Sequence, residues 1–170
     1  MTHDSIAGTG RARGGVWVTG VVMAVIGGAG LLKAMDLPVF LDTVETWTLL
    51  GPVTRWTAVI GLPPAEMGMA VLWFAGVRRA RLEAAAASLL MVFGLTYGLH
   101  LLLAKPPSCG CFGLVDEYFK SLSEGRGALW RHGILLALLV TGSWLTRRAP
   151  GAVNQPTRLP RERTMSHAIQ

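Results

Sequence analysis

The sequence predicts an all-α membrane protein, a four-transmembrane-helix bundle with short interfacial helices. Hydrophobic residues make up 51% of the 170 residues and charged residues only 15%, a balance that is typical of integral membrane proteins. A helix needs roughly 20 apolar residues to cross a bilayer. Four segments approach that length, at about 14–32, 56–77, 84–104 and 128–145, and the last is the shortest.

The distribution of basic residues predicts the topology. Arginines cluster before the first segment, between the second and third, and after the fourth, whereas acidic residues offset the basic ones in the other loops. By the positive-inside rule both termini are cytoplasmic, and the loop after the third segment is extracytoplasmic. The arginines behind this prediction are Arg11, Arg13, Arg78, Arg79, Arg81, Arg147 and Arg148.

The predicted organisation is a cytoplasmic N-terminal tail (1–13), a four-helix domain (14–146) and a disordered basic cytoplasmic tail (147–170) in the cell (inner or plasma) membrane. A cleaved signal peptide is the alternative for the first segment, and it would leave three spans. The net charge of +6 does not indicate nucleic-acid binding, because no basic face interleaved with aromatic residues occurs outside the topology signals.

Two cysteines occur in the chain, in Cys109-Gly110-Cys111-Phe112-Gly113 directly after the third segment. An extracytoplasmic compartment is oxidising, so this pair is expected to cycle or to be bridged. A disulfide across one intervening residue is strained and easily reduced, which suits exchange. Two alternatives stay open. The pair can be purely structural, or its thiolates can bind a metal with His100 or His132, although C-x-C supplies only half of a tetrahedral set.

Glu66 is the only carboxylate within the four predicted spans. A buried ionisable residue in a membrane is costly and indicates a functional site or a specific partner. Pro63 and Pro64 are expected to start or kink the helix there, so that Glu66 would lie in its first turn. Proton handling and a structural pairing with Arg55, Lys33 or Arg131 are both open for this residue.

The third segment carries Phe93, Tyr97 and His100 at helical spacing, so that they share one face. A phenol and an imidazole below a dithiol can contact a membrane quinone or relay protons, whereas interhelical packing is the structural alternative. Small residues at Gly20, Ala24 and Gly28 form a ridge that permits close helix approach. Amphipathic patterns predict interfacial helices within Pro38 to Leu50 and Val115 to Leu122.

The order of these landmarks resembles the MauE/DoxX-like family of redox-associated membrane proteins, over roughly 14–146. His132 departs from the pattern, because an asparagine is expected after Arg131. The resemblance implies a bundle related to DoxX and more loosely to DsbB and vitamin K epoxide reductase. It also implies redox roles for Cys109 and Cys111, and Glu66 and Arg131 as internal partners. The residues that carry it are Lys33, Phe40, Pro63, Glu66, Gly68, the C-G-C-F-G string and Arg131.

The sequence therefore indicates a thiol–disulfide redox protein that helps to form or maintain disulfides in an extracytoplasmic partner, such as a methylamine dehydrogenase-type subunit. Cys109 and Cys111 are the redox pair, and the supporting residues are Glu66, Tyr97, His100, Arg131 and His132. Since the chain has no second cysteine pair, a membrane quinone, a thioredoxin-like protein or partner thiols must complete the exchange. The alternative is a non-catalytic membrane anchor or assembly subunit of an extracytoplasmic oxidoreductase.

Overall fold

The computed structural model describes residues 3–103 and 126–148, and within these ranges the fold is entirely helical. The predicted all-α class is confirmed. The two cysteines, the predicted helix at 115–122 and most of the basic tail lie outside the described residues. The helices are α1 (His3–Met35), α2 (Leu37–Glu45), α3 (Pro52–Phe74), α4 (Arg79–Leu103) and α5 (Arg126–Arg147).

Four of these helices are long and apolar enough to cross a membrane, namely α3, α4, α5 and the Arg13–Met35 part of α1. The predicted four-helix membrane bundle is thereby confirmed. Since α4 begins at Arg79, its span includes Glu83, and the expectation that Glu66 is the only carboxylate within a span is wrong. Glu83 accepts hydrogen bonds from the Trp73 indole at 3.1 Å and from the Ser143 hydroxyl at 2.8 Å. It thereby joins α3, α4 and α5.

The bundle has two distinct ends. One, the arginine end, holds the Arg13 end of the α1 span, the short α3–α4 turn and the end of α5. The other, the loop end, holds α2, the end of α4 and the start of α5. α1 packs along both α3 and α5, and α4 packs mainly on α5. At the turn, Gly76 adopts a φ of 80°, a backbone conformation that glycine accepts without steric cost.

Glycines set the close contact between α1 and α5. A Cβ on Gly142 would lie 2.5 Å from the Thr19 hydroxyl oxygen and 3.0 Å from the Gly15 carbonyl oxygen. Van der Waals packing between close backbones is a main source of helix association in membranes. The prediction that Gly20, Ala24 and Gly28 form the surface of close helix approach is wrong for two of these residues. Ala24 is exposed, and a Cβ on Gly28 would meet nothing within 4 Å.

Helix α3 continues through its paired prolines. It runs from Pro52 to Phe74 with Pro63 and Pro64 inside it. Membrane helices tolerate such prolines because neighbouring groups and local adjustments satisfy the freed carbonyls. Glu66 therefore lies fourteen residues beyond Pro52, and the expected first-turn position is wrong.

Helix α2 forms where the amphipathic pattern predicts a helix between the first two spans. The Asp36 side chain caps it by accepting a hydrogen bond from the Val39 amide at 3.3 Å. Its apolar face is buried, since Phe40 and Val44 pack with Val59 of α3. The amphipathic helix thus covers the loop end of the bundle with its apolar face.

Replacing Gly142 with alanine should destabilise the bundle by about 1–3 kcal/mol, the usual cost of overpacking. The new methyl group would overlap Thr19 and the α1 backbone. The free energy of unfolding in detergent micelles measures this effect. Gly133→Ala in the same helix is the matched control, because its Cβ would meet nothing within 4 Å. Equal stability of the two variants would contradict the proposed close contact.

Candidate functional site

A buried ion pair joins α1 to α3 near the loop end. The Lys33 Nζ donates hydrogen bonds to both carboxylate oxygens of Glu66, each at 2.6 Å. Only 4% of Lys33 and 6% of Glu66 are exposed. Lys33, one of the three cations considered as partners of Glu66, forms this ion pair.

Glycine at position 30 makes this pairing geometrically feasible. Gly30 lies about one turn before Lys33 on α1. A Cβ at this position would come within 2.8 Å of the Glu66 Cβ and 2.9 Å of the Pro63 carbonyl oxygen. One turn earlier, a Cβ on Gly27 would come within 2.6 Å of the Ala70 Cβ. The two helix backbones are therefore close enough for a short, buried salt bridge.

Helix α2 covers the ion pair on the side of the loop end. The Phe40 ring centroid lies 5.6 Å from the Lys33 Nζ, within the range of a cation–π interaction. Phe40 itself is buried. The ammonium group is thus held between a carboxylate and an aromatic face and is shielded from water.

The energetics of such a pair favour a specific role over simple stabilisation. Two buried charges lose their hydration, and their attraction often does no more than compensate for that loss. A hydrophobic pair of similar volume is frequently as stable or more stable. Ionisable residues inside a membrane bundle are accordingly functional candidates.

The ion pair lines a small internal cavity of about 80 Å³. Arg131 and His132 of α5 line the same cavity. Since a water molecule occupies roughly 30 Å³ and a cavity of about 150 Å³ accommodates benzene, the cavity has room for two or three waters but not for an aromatic ring. Its remaining walls are mostly apolar and include three aromatic residues, Phe40, Trp47 and Phe93.

His132 is buried and anchored within its own helix. Its Nδ1 lies 2.7 Å from the Ala128 carbonyl oxygen one turn earlier. Since a carbonyl can only accept, this nitrogen carries the proton in that contact. Arg131 lies beside it in sequence and is half-buried. The structure therefore brings Glu66, Arg131 and His132, three of the residues predicted from sequence, to one cavity.

Tyr97 and His100 face a different partner, the side chain of Trp47. The Trp47 ring lies 5.9 Å from Tyr97, 5.2 Å from His100 and 6.1 Å from Phe93, measured between ring centroids. Phe93, Tyr97 and His100 share one face of α4, as their spacing predicts. They form an aromatic cage around the segment that follows α2.

The two ring nitrogens of His100 are both engaged. Its Nε2 accepts a hydrogen bond from the Leu49 amide at 3.2 Å, and its Nδ1 lies 2.9 Å from the Thr96 carbonyl oxygen. An amide can only donate and a carbonyl can only accept, so in these contacts Nε2 accepts and Nδ1 donates. Neither nitrogen has a lone pair left for a metal. Within residues 3–103 and 126–148, no group of three His, Cys, Asp or Glu residues could hold a metal ion.

Sequence reasoning missed several parts of this site. Gly30, Phe40 and Trp47 shape the cavity and the cage, but none of them was expected to contribute to a site. Gly30 lies outside the predicted small-residue ridge, although it follows Gly27 at the spacing of one helical turn. Cys109 and Cys111 lie outside the described residues, so their predicted roles stay predictions.

Removing one charge of the ion pair should cost more stability than removing both. Glu66→Gln would leave the Lys33 ammonium buried and should destabilise the protein by about 3–5 kcal/mol. The double variant Lys33→Met, Glu66→Met should lie closer to the native protein, because no uncompensated charge remains. Unfolding free energies in micelles measure this cycle. Glu45→Gln on the exposed side of α2 is the control. If the destabilisation of the double variant equalled the sum of the destabilisations of the two single variants, the coupling between Lys33 and Glu66 would be contradicted.

Comparison with known protein families identifies the chain. The family model described as methylamine utilisation protein MauE matches residues 12–145. That range covers most of the chain, including all of α2, α3 and α4, the ion pair and the cavity. No curated protein and no solved structure matches this sequence. With its four membrane-length helices, the chain is a multi-pass membrane protein and belongs to the methylamine utilisation protein MauE family.

Proposed function

We propose that this protein is a membrane-embedded thiol–disulfide redox protein that forms or maintains disulfides in an extracytoplasmic partner. Membership of a methylamine utilisation family supports a partner of the methylamine dehydrogenase type. The chain contains two cysteines, Cys109 and Cys111, and these form the redox pair of the proposal. The partner's thiols are the substrate. The protein is embedded in the lipid bilayer.

The observation that carries this proposal is the position of the cysteines along the chain relative to the buried charges. Cys109 follows Leu103, the last residue of α4, by six residues, so the covalent chain limits its Cα to about 20 Å from the end of that helix. That end of the bundle also holds the Lys33–Glu66 pair, Arg131 and His132. Cations near a thiol favour the reactive thiolate form.

The reaction is a two-electron exchange. A partner thiolate attacks the Cys109–Cys111 disulfide and forms a mixed disulfide with one cysteine. The second partner thiolate then attacks the partner's sulfur in the mixed disulfide and releases that cysteine as a thiolate. The partner loses two electrons and two protons as its disulfide forms, and the two cysteines of this chain become thiols. Reoxidation requires a second two-electron acceptor, either a membrane quinone or a thioredoxin-like protein in its disulfide form.

Glu66 and its neighbours supply proton handling in this proposal. Each turnover releases or takes up two protons at the thiols, and a buried carboxylate beside a cavity with room for waters is suited to exchange them. Lys33 holds the carboxylate in place, while Arg131 and His132 line the same cavity. Tyr97 and His100 act indirectly, by holding Trp47 and the end of α2 in position.

Replacing either cysteine with serine should abolish oxidation of the partner while membrane insertion is retained. Labelling with a bulky, membrane-impermeant maleimide in intact cells measures the state and side of the thiols. Labelling is expected only after mild reduction, because the resting pair is an outward-facing disulfide. The Cys109→Ser, Cys111→Ser double variant controls for non-specific labelling. Function in both single variants would reject the redox mechanism and favour the non-catalytic anchor, and labelling only after lysis would reject the topology.

A second experiment separates proton handling from structural support at the ion pair. The double variant Lys33→Met, Glu66→Met keeps the packing without a lone charge, so it should fold. If Glu66 moves protons, the rate of thiol oxidation should fall by about 10²–10⁴-fold, the usual contribution of acid–base catalysis. Stopped-flow measurement of a dithiol substrate gives this rate, with Glu45→Gln as the control. A native rate in the folded double variant would leave Glu66 with a purely structural role.

A further inference from the structure

A groove lies between α4 and α5 toward the arginine end, about one helical turn from the residues of the same helices that line the loop-end cavity. Its volume is about 240 Å³. Ala84 and Ala87 form the wall on α4, and Val140 and Trp144 form the wall on α5. The groove exists because the alanine side chains of α4 are too short to fill the space opposite the larger residues of α5.

The groove faces the surroundings of the bundle. Ala84, Val140 and Trp144 are exposed, and both helices have the length and hydropathy of membrane spans. In a bilayer, the apolar material next to such a surface is lipid. The volume and the apolar walls fit a segment of an acyl chain.

Positive charge is concentrated where the groove reaches the arginine end. Arg147 lines the groove, and Arg81 lies three residues before Ala84, on the same face of α4. Both arginines are exposed. The neighbouring Arg79 and Arg148 guanidinium groups lie over indole rings instead, 4.9 Å from Trp73 and 4.0 Å from Trp144.

Glu83 is the one carboxylate among the described residues that line the groove, and its contacts are with neutral donors and not with the arginines. The two oxygens of Glu83 accept hydrogen bonds from Trp73 and Ser143, and no ion pair joins Glu83 to Arg147 within the described residues. Glu83 lies about one helical turn deeper than the arginine end of α4. An anionic group would therefore bind at the mouth of the groove, between Arg81 and Arg147.

We propose that the α4/α5 groove binds an anionic phospholipid, with one acyl chain between the two helices and the phosphate at Arg147 and Arg81. Arginine suits this ligand because its planar guanidinium donates two parallel hydrogen bonds to a phosphate. Basic residues at the cytoplasmic end of membrane helices commonly recognise anionic lipid headgroups. The site is independent of the cysteine chemistry and would anchor α4 against α5.

Native mass spectrometry of the purified full-length protein in detergent tests this proposal, with phosphatidylglycerol and phosphatidylcholine of identical acyl chains as the probes. The native protein should retain phosphatidylglycerol in preference to phosphatidylcholine. Arg147→Gln should weaken phosphatidylglycerol binding roughly fivefold, the effect expected for one basic residue near an anionic lipid. Ala84→Leu should weaken it as well, because the larger side chain fills the groove without changing the charge.

Arg13→Gln is the matched control, since Arg13 is exposed at the same end of the bundle but lies on α1, outside the groove. It should leave phosphatidylglycerol binding unchanged. Equal retention of the two lipids would overturn the proposal. An equal loss of binding in Arg13→Gln would also overturn it, because it would indicate diffuse charge attraction. The proposal would likewise fail if Ala84→Leu bound phosphatidylglycerol as the native protein does, or if inorganic phosphate alone competed with the lipid. Circular dichroism of each variant confirms that the helices are intact.

Discussion

The buried Lys33–Glu66 salt bridge is the interaction on which the loop end of this protein depends. Two charges with exposures of 4% and 6% can be held in a membrane bundle only if their hydrogen bonds replace the lost hydration. The surrounding residues meet this requirement together. Gly30 allows the α1 and α3 backbones to approach, and Phe40 of α2 covers the ammonium group. Helix α2 and the cavity that the ion pair lines are thus built around this contact, together with the packing of Phe40 and Val44 on α3.

The two ends of the bundle are consequently built in different ways. At the arginine end, glycines bring α1 and α5 together, and Glu83 links three helices through an indole and a hydroxyl. At the loop end, the contacts pass through long side chains, and a cavity of about 80 Å³ remains between charged groups. One end is thus joined by close backbone contacts and neutral hydrogen bonds, and the other by a buried ion pair beside a cavity.

The sequence predicts the four spans well, because length and hydropathy decide which segments can cross a bilayer. It predicts single contacts less well. Periodicity places Gly20, Ala24 and Gly28 on one face, but Gly15, Gly27 and Gly30 make the close approaches, since the rotation of α1 is set by its partners. Likewise, Pro63 and Pro64 indicate a helix start only if no neighbouring group compensates for the missing amides. The bundle supplies a continuous α3 instead, and Glu66 moves deep into the helix.

The two histidines that the sequence treats alike are separated by their contacts. The His100 ring accepts from the Leu49 backbone and contacts the Thr96 carbonyl, so both of its nitrogens are engaged where α4 meets the segment that carries Trp47. The His132 Nδ1 lies against the Ala128 carbonyl oxygen in its own helix, and His132 lines the cavity that Arg131 and the ion pair also line. His132 therefore shares a cavity with Glu66, whereas His100 is not among the described residues that line it. In the proposed redox reaction, proton handling would thus fall to residues of α3 and α5, whereas Tyr97 and His100 of α4 contact Trp47 in the segment that follows α2.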